Sequence, residues 1–77
     1  MKASIALQVL PLSQGGNRIA IIDQVIAYLQ AQSVTMVVTP FETVLEGEFD
    51  ELMRILKDAL EVAGQEVDNV FANVKIN

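Results

Sequence analysis

Glu46 stands out among the residues able to do chemistry, because of where it lies. It sits inside residues 43–47, a run that reads as a strand. A carboxylate in mid-strand is unfavourable by propensity and costly if buried without a partner. Two roles suit it. It can pair with Lys75, which alternation assigns to the same sheet face, or it can anchor a ligand. A carboxylate accepts two hydrogen bonds side by side, which matches the edge of an aminopyrimidine. Gln8, Thr39 and Asn73 fall on that face too and offer further polar contacts. The residues alone neither choose between the two roles nor identify a ligand.

Catalysis has little to draw on. The 77 residues include no His and no Cys. The commonest general base and the best nucleophile are therefore missing. Ser4 and Ser13 have no evident activating partner. No catalytic residue is expected, and the chain is not read as an enzyme. Glu42, Glu46 and Glu48 would share one face of an extended strand, a pattern suited to magnesium or manganese. Glu48 fits better as the start of a helix, so no metal site is assigned. Gly15-Gly16 is explained by a plain loop better than by anion binding. No cofactor is expected.

Composition narrows the classes further. The length allows a single domain, residues 1–77. A chain this short buries a small share of its surface and is marginally stable alone. Disulfides and ordinary zinc sites are excluded, so subunit association remains the expected aid. The apolar fraction of 52% points the same way. A net charge of −5 argues against a nucleic-acid partner and against an anionic membrane surface. No apolar run approaches the ~20 residues of a membrane span. The N-terminus starts a strand pattern at once, so no signal peptide is read and a cytoplasmic location is expected. The lack of Cys fits a reducing compartment.

These side chains need elements to hold them. Residues 3–10 alternate, with Ala3, Ile5, Leu7 and Val9 on one side, and Pro11 ends the run. Residues 13–16 read as a loop, and Asn17 as an N-cap. Ile19, Ile22, Ile26 and Leu29 recur at helical spacing, widened by Ile21, Val25 and Tyr28, and predict a helix over 17–32. Residues 34–39 are β-branched and predict a second strand. A short 40–42 loop then leads to a third strand over 43–47, so these two pair as a hairpin. Glu48, Asp50 and Glu51 suit the first turn of a second helix. Phe49, Leu52, Met53, Leu56, Leu60 and Ala63 form its buried stripe, Asp50–Arg54 and Lys57–Glu61 its ion pairs, and Gly64 its C′ residue. Residues 70–76 alternate as a fourth strand.

The order is β-α-β-β-α-β. That is the ferredoxin-like plan of the α+β class: a four-stranded antiparallel sheet with two helices on one face. The helix side should carry Ala3, Ile5, Leu7 and Val9, Val34, Met36 and Val38, Leu45 with Thr43 and Gly47, and Val70, Ala72, Val74 and Ile76. The other face carries Ser4, Ala6, Gln8, Leu10, Thr35, Val37, Thr39, Val44, Glu46, Phe71, Asn73 and Lys75. It is too apolar to be left wholly in water and too polar for a core. It reads either as a solvated face or, better, as a wet subunit interface.

The stretch Thr39-Pro40-Phe41-Glu42-Thr43-Val44-Leu45-Glu46-Gly47-Glu48-Phe49, with the opening Ser4-Ile5-Ala6-Leu7-Gln8-Val9-Leu10-Pro11, resembles the thiamine-binding protein family. The resemblance covers almost the whole chain. It implies a ferredoxin-like fold and assembly as homodimers or homotetramers through the sheets. It also implies binding of thiamine or its hydroxymethylpyrimidine moiety without conversion, for salvage, transport or sensing. The matching positions are Thr39, Thr43, Glu46 and Gly47, with Gln8 in the matching first strand. Phe41 and Glu42 depart from the small or polar residues common there, which bears on the pocket. Relatives usually continue past the position of Asn77 into a short tail and helix. The expected ligand set is Gln8, Thr39, Thr43, Glu46 and Asn73. The alternative is an oligomeric interaction module, structural or regulatory, with no small ligand.

Overall fold

The computed structural model describes residues 1–12, 18–65, 67 and 69–77. The loop expected at 13–16 and the N-cap expected at Asn17 lie outside them. The elements run β1 (Lys2–Pro11), α1 (Arg18–Gln30), β2 (Thr35–Val38), β3 (Thr43–Glu48), α2 (Phe49–Ala63) and β4 (Val70–Ile76). The sheet order is β2-β3-β1-β4, and all three strand pairs are antiparallel. This is the ferredoxin-like plan read from the sequence.

β1 sits in the interior of the sheet and pairs on both sides. Lys2 to Leu7 oppose Glu48 to Thr43 of β3. Ile5 to Pro11 oppose Ile76 to Val70 of β4. Pro11 closes the strand as its last paired residue, where its missing N–H costs least. β2 is the short edge strand, with Thr35 opposite Glu46 and Val37 opposite Val44. Thr39, expected inside β2, falls beyond its end.

The core lies on one side of the sheet. Ile5, Leu7 and Leu45 project from it to meet Ile21, Val25 and Leu29 of α1 and Leu52, Ile55, Ala59 and Ala63 of α2. Each large aliphatic side chain buried there contributes about 1.5–3 kcal/mol. In α1 the buried line is Ile21-Val25-Leu29, a strict i, i+4 row. Ile19, expected in the stripe, is 74% exposed. The helix is apolar on more than one face, so periodicity alone left its rotation open. In α2 the stripe also takes in Ile55 and Ala59, both fully buried. A small residue at 59 lets the helix approach its neighbours closely.

The ends of α2 are held differently from expectation. Glu48 stands at the N-cap position in extended conformation without a side-chain cap. Instead the Phe49 N–H donates to the carbonyl of Met1, the residue before β1, at 2.8 Å, which satisfies one orphan donor. Gly64 ends the helix with φ −84°, in the right-handed region, and its N–H donates to the Leu60 carbonyl. Arg54 pairs with Glu51 and Asp58 in place of Asp50, and Lys57–Glu61 forms as expected.

Candidate functional site

Strand register sorts the open face into rows. Thr35, Glu46 and Ser4 make the first. Val37, Val44, Ala6 and Lys75 make the second. Gln8 and Asn73 make the third, and Leu10 and Phe71 the fourth. Gln8 and Asn73 are directly opposed, and the Asn73 Nδ2 donates to Gln8 Oε1 at 3.0 Å. Ser4 and Gln8 are four residues apart on β1, about 13 Å at ~3.3 Å per residue. Glu46 therefore does not converge with Gln8 and Asn73 on one small ring within a single chain.

Lys75 does not reach Glu46. Its ammonium lies 3.3 Å from the carboxylate of Glu42, the residue just before β3. Register explains the choice, because β1 separates β4 from β3 and Lys75 is one row away from Glu46. Glu42 is the better shielded partner, its side chain 28% exposed against 75% for Lys75. Glu48, on the same side of β3, takes the N-terminal ammonium at 3.1 Å and Lys2 at 3.4 Å. The hydrogen bond from that ammonium, its charge and Lys2 hold the Glu48 carboxyl below its ordinary range. Among the described residues no group of three or more His, Cys, Asp or Glu side chains could hold a metal ion.

Thr39 organises the turn between β2 and β3. Its hydroxyl donates to the Glu42 carbonyl at 2.7 Å and accepts from the N–H groups of Phe41 and Glu42. A hydroxyl has one donor and two lone pairs, so this turn uses its full capacity. Thr39 therefore acts by shaping the turn and aiming Glu42. Thr43 points the other way, buried on the helix side of β3. Gly47 is on that side as well. A Cβ there would stand 3.2 Å from Val34 Cγ1 and 3.8 Å from Leu52 Cδ2.

A cleft of about 260 Å³ opens where this turn faces α1. Ile22, Val25, Ile26 and Leu29 form its helical wall, with Leu7 and Val9 of β1 beside them. Gln8, Thr39, Glu42 and Thr43 are the polar residues that line it, and Phe41 stands at the turn, 80% exposed. It forms because α1 packs on β1 and α2, which leaves Ile22 and Ile26 only half-buried. Three residues of the expected ligand set, Gln8, Thr39 and Thr43, thus line one cleft. Glu46 borders a separate polar depression with Lys2, Ser4, Thr35 and Asn77. Glu42 was the residue that sequence reasoning did not place in the set. Its signals were its departure from the residues common at that position and its place with Glu46 and Glu48 on one strand face. No helix among the described residues is long and apolar enough to cross a membrane.

Comparison with known proteins agrees with this architecture. The family model described as thiamine-binding protein matches residues 5–77. The UPF0045 protein of Clostridium perfringens is 33% identical over 75 residues, 96% of this chain and 79% of that protein. A crystal structure from Streptococcus pneumoniae is 90% identical with a TM-score of 0.94, covering 100% of this chain and 86% of its own. A Thermotoga maritima structure, described as a proposed thiamine biosynthesis/salvage protein, is 25% identical with a TM-score of 0.89, covering 100% of this chain and 83% of its own. With strand order, helix placement and family match in agreement, this chain belongs to the thiamine-binding protein family.

Proposed function

We propose that this chain is a non-catalytic binder of thiamine or of its hydroxymethylpyrimidine moiety, held in the cleft between α1 and the 39–43 turn. One observation carries the reading: Gln8 and Thr43, with the turn built by Thr39, border the same apolar-walled cleft. The volume, about 260 Å³, is just below the ~300–1,000 Å³ of drug-sized pockets. It suits a single ring or a small two-ring molecule and is too small for a nucleotide. The family's name supports the ligand class. Cytoplasmic salvage, transport or sensing of the vitamin is the role that follows.

Calorimetric titration with thiamine and with hydroxymethylpyrimidine tests this. Saturable heat from either ligand is expected. No heat and no thermal shift at millimolar ligand rejects it. Glu46→Gln then locates the site: affinity is unchanged for a ligand in the cleft and lost for a ligand on the open sheet face.

The open face supports a second reading, an oligomeric module. Val37 and Phe71 are exposed there, flanked by Leu10 and Val44. Covering them by a second copy, as a homodimer or homotetramer joined through the sheets, suits so small a domain. Assembly that persists with no ligand response would favour this module alone.

A further inference from the structure

Among the described residues, Glu42 is the only charged one that lines the cleft. Its neighbours there are aliphatic or neutral, and its carboxylate is already matched by one cation, the Lys75 ammonium at 3.3 Å. The contact spans the sheet: Lys75 sits on β4, and its chain crosses β1 above Ala6 to reach Glu42. Glu42 has no second cation among the described residues. A low-dielectric wall strengthens whatever charge pairs at that carboxylate.

We propose that Lys75 is a tethered competitor for the ligand charge site, and that Glu42 makes the cleft favour small organic cations, thiamine above its neutral hydroxymethylpyrimidine moiety. This rests on the cleft being the ligand site. A cationic ligand entering along Ile22 and Ile26 meets Glu42 at the mouth and displaces the ammonium, which swings into solvent. Lys75 is 75% exposed, so its release needs no repacking. The device keeps the carboxylate paired when the cleft is empty, so a cation that binds there must first displace the ammonium. Exposed ion pairs are worth about 0.2–1 kcal/mol, so removing the competitor should tighten binding up to about fivefold.

The test is titration of thiamine, a permanent thiazolium cation, into the wild-type chain and into Lys75→Gln, Lys57→Gln and Glu42→Gln, with sedimentation run alongside. Lys57 lies on the wet face of α2, paired to Glu61, so Lys57→Gln makes the same charge change away from the cleft. Lys75→Gln should bind thiamine about two- to fivefold more tightly with unchanged oligomeric state. Lys57→Gln should match wild type, and Glu42→Gln should lose at least tenfold. In the wild type, the Lys75 side-chain NMR signals should shift on thiamine addition, a readout that needs no variant to fold. Thiamine binding with Lys75→Gln equal to or weaker than Lys57→Gln overturns the latch and leaves the binding function standing. So does tightening that appears only with altered assembly. No thiamine binding by wild type or by Lys75→Gln overturns both.

Discussion

The Asn73 side-chain amide donates to the Gln8 amide oxygen at 3.0 Å, between residues directly opposed across β1 and β4. The contact ties an edge strand to an interior strand on the open face. It also fixes which way the Gln8 amide is turned, with its NH₂ group left for other partners. Cross-strand polar pairs of this kind contribute roughly 0.2–1 kcal/mol. A double-mutant cycle over Gln8→Ala and Asn73→Ala, read by denaturant unfolding, should return a coupling in that range. Gln8→Ala should also weaken ligand binding more than Asn73→Ala, because only Gln8 lines the cleft.

Thr39 is the residue on which the turn depends. Thr39→Val keeps the shape and removes the hydroxyl, which leaves the Phe41 and Glu42 N–H groups without their acceptor. Turn and cap hydroxyls of this type are worth about 0.5–2 kcal/mol. Unfolding should show a loss near 1 kcal/mol for Thr39→Val and little for Thr39→Ser. Ligand affinity should follow the same order, since the turn aims Glu42.

Glu48 supplies a pH dependence. Its carboxyl is held below the ordinary range by the N-terminal ammonium and by Lys2. A depressed folded value means that the contribution is present above the unfolded pKa and is lost as pH falls through the folded one. The wild type should therefore lose more stability on acidification than Glu48→Gln. Carboxyl NMR titration should place the Glu48 midpoint below the ordinary glutamate range. Acetylating the N-terminus should raise it.

Tyr28 gives the opposite case at the alkaline end. Desolvation first, then the hydrogen bond and charge of Asp58, raise its pKa above 10.0, while Arg54 opposes them. The neutral phenol, which donates to Asp58 at 3.1 Å, is thus the form the fold favours. This stability is intact below the unfolded pKa and is lost as pH rises through the folded one. Tyr28→Phe should cost about 0.5–1.5 kcal/mol at neutral pH and flatten the alkaline limb of the unfolding profile.

Gly47 tests the packing of β3 against α2. The 3.2 Å approach of an added Cβ to Val34 means that the valine must give way. Gly47→Val should destabilise by about 1–3 kcal/mol, as overpacked sites do. Gly47→Ala should cost less, and Val34→Ala should recover part of the Gly47→Val loss in thermal melts.

The strand and helix order was legible because each segment carries its own period. β4 alternates cleanly over residues 70–76, and the structure has the strand there. α2 was readable because its polar side is densely charged, which fixes its rotation. After Arg18 at its start, α1 has only Asp23 to mark a polar side, so Ile19 could be assigned to the buried side when it is exposed. The Glu46–Lys75 pairing was misleading for a different reason. Alternation tells which face a residue is on, and register tells which row, and only the folded sheet supplies register. Thr39 likewise reads as strand by composition, but its hydroxyl closes a turn with Glu42, a local bond that β propensity does not record. Glu42 entered the cleft as a consequence of that bond.

The interior position of β1 governs how the molecule is made. β1 precedes both of its pairing partners in the chain, β3 and β4, which begin only at residues 43 and 70. No early hairpin can recruit it. During synthesis β1 must remain unpaired until β3 has been made, its Ile5 and Leu7 waiting for a surface. Closure over such separations costs chain entropy before any contact repays it, which slows folding relative to a helical protein of this size. Among the described residues the hairpin available early is β2–β3, with the Thr39 turn at its tip. The turn that aims Glu42 would then also be the natural seed on which the sheet is assembled.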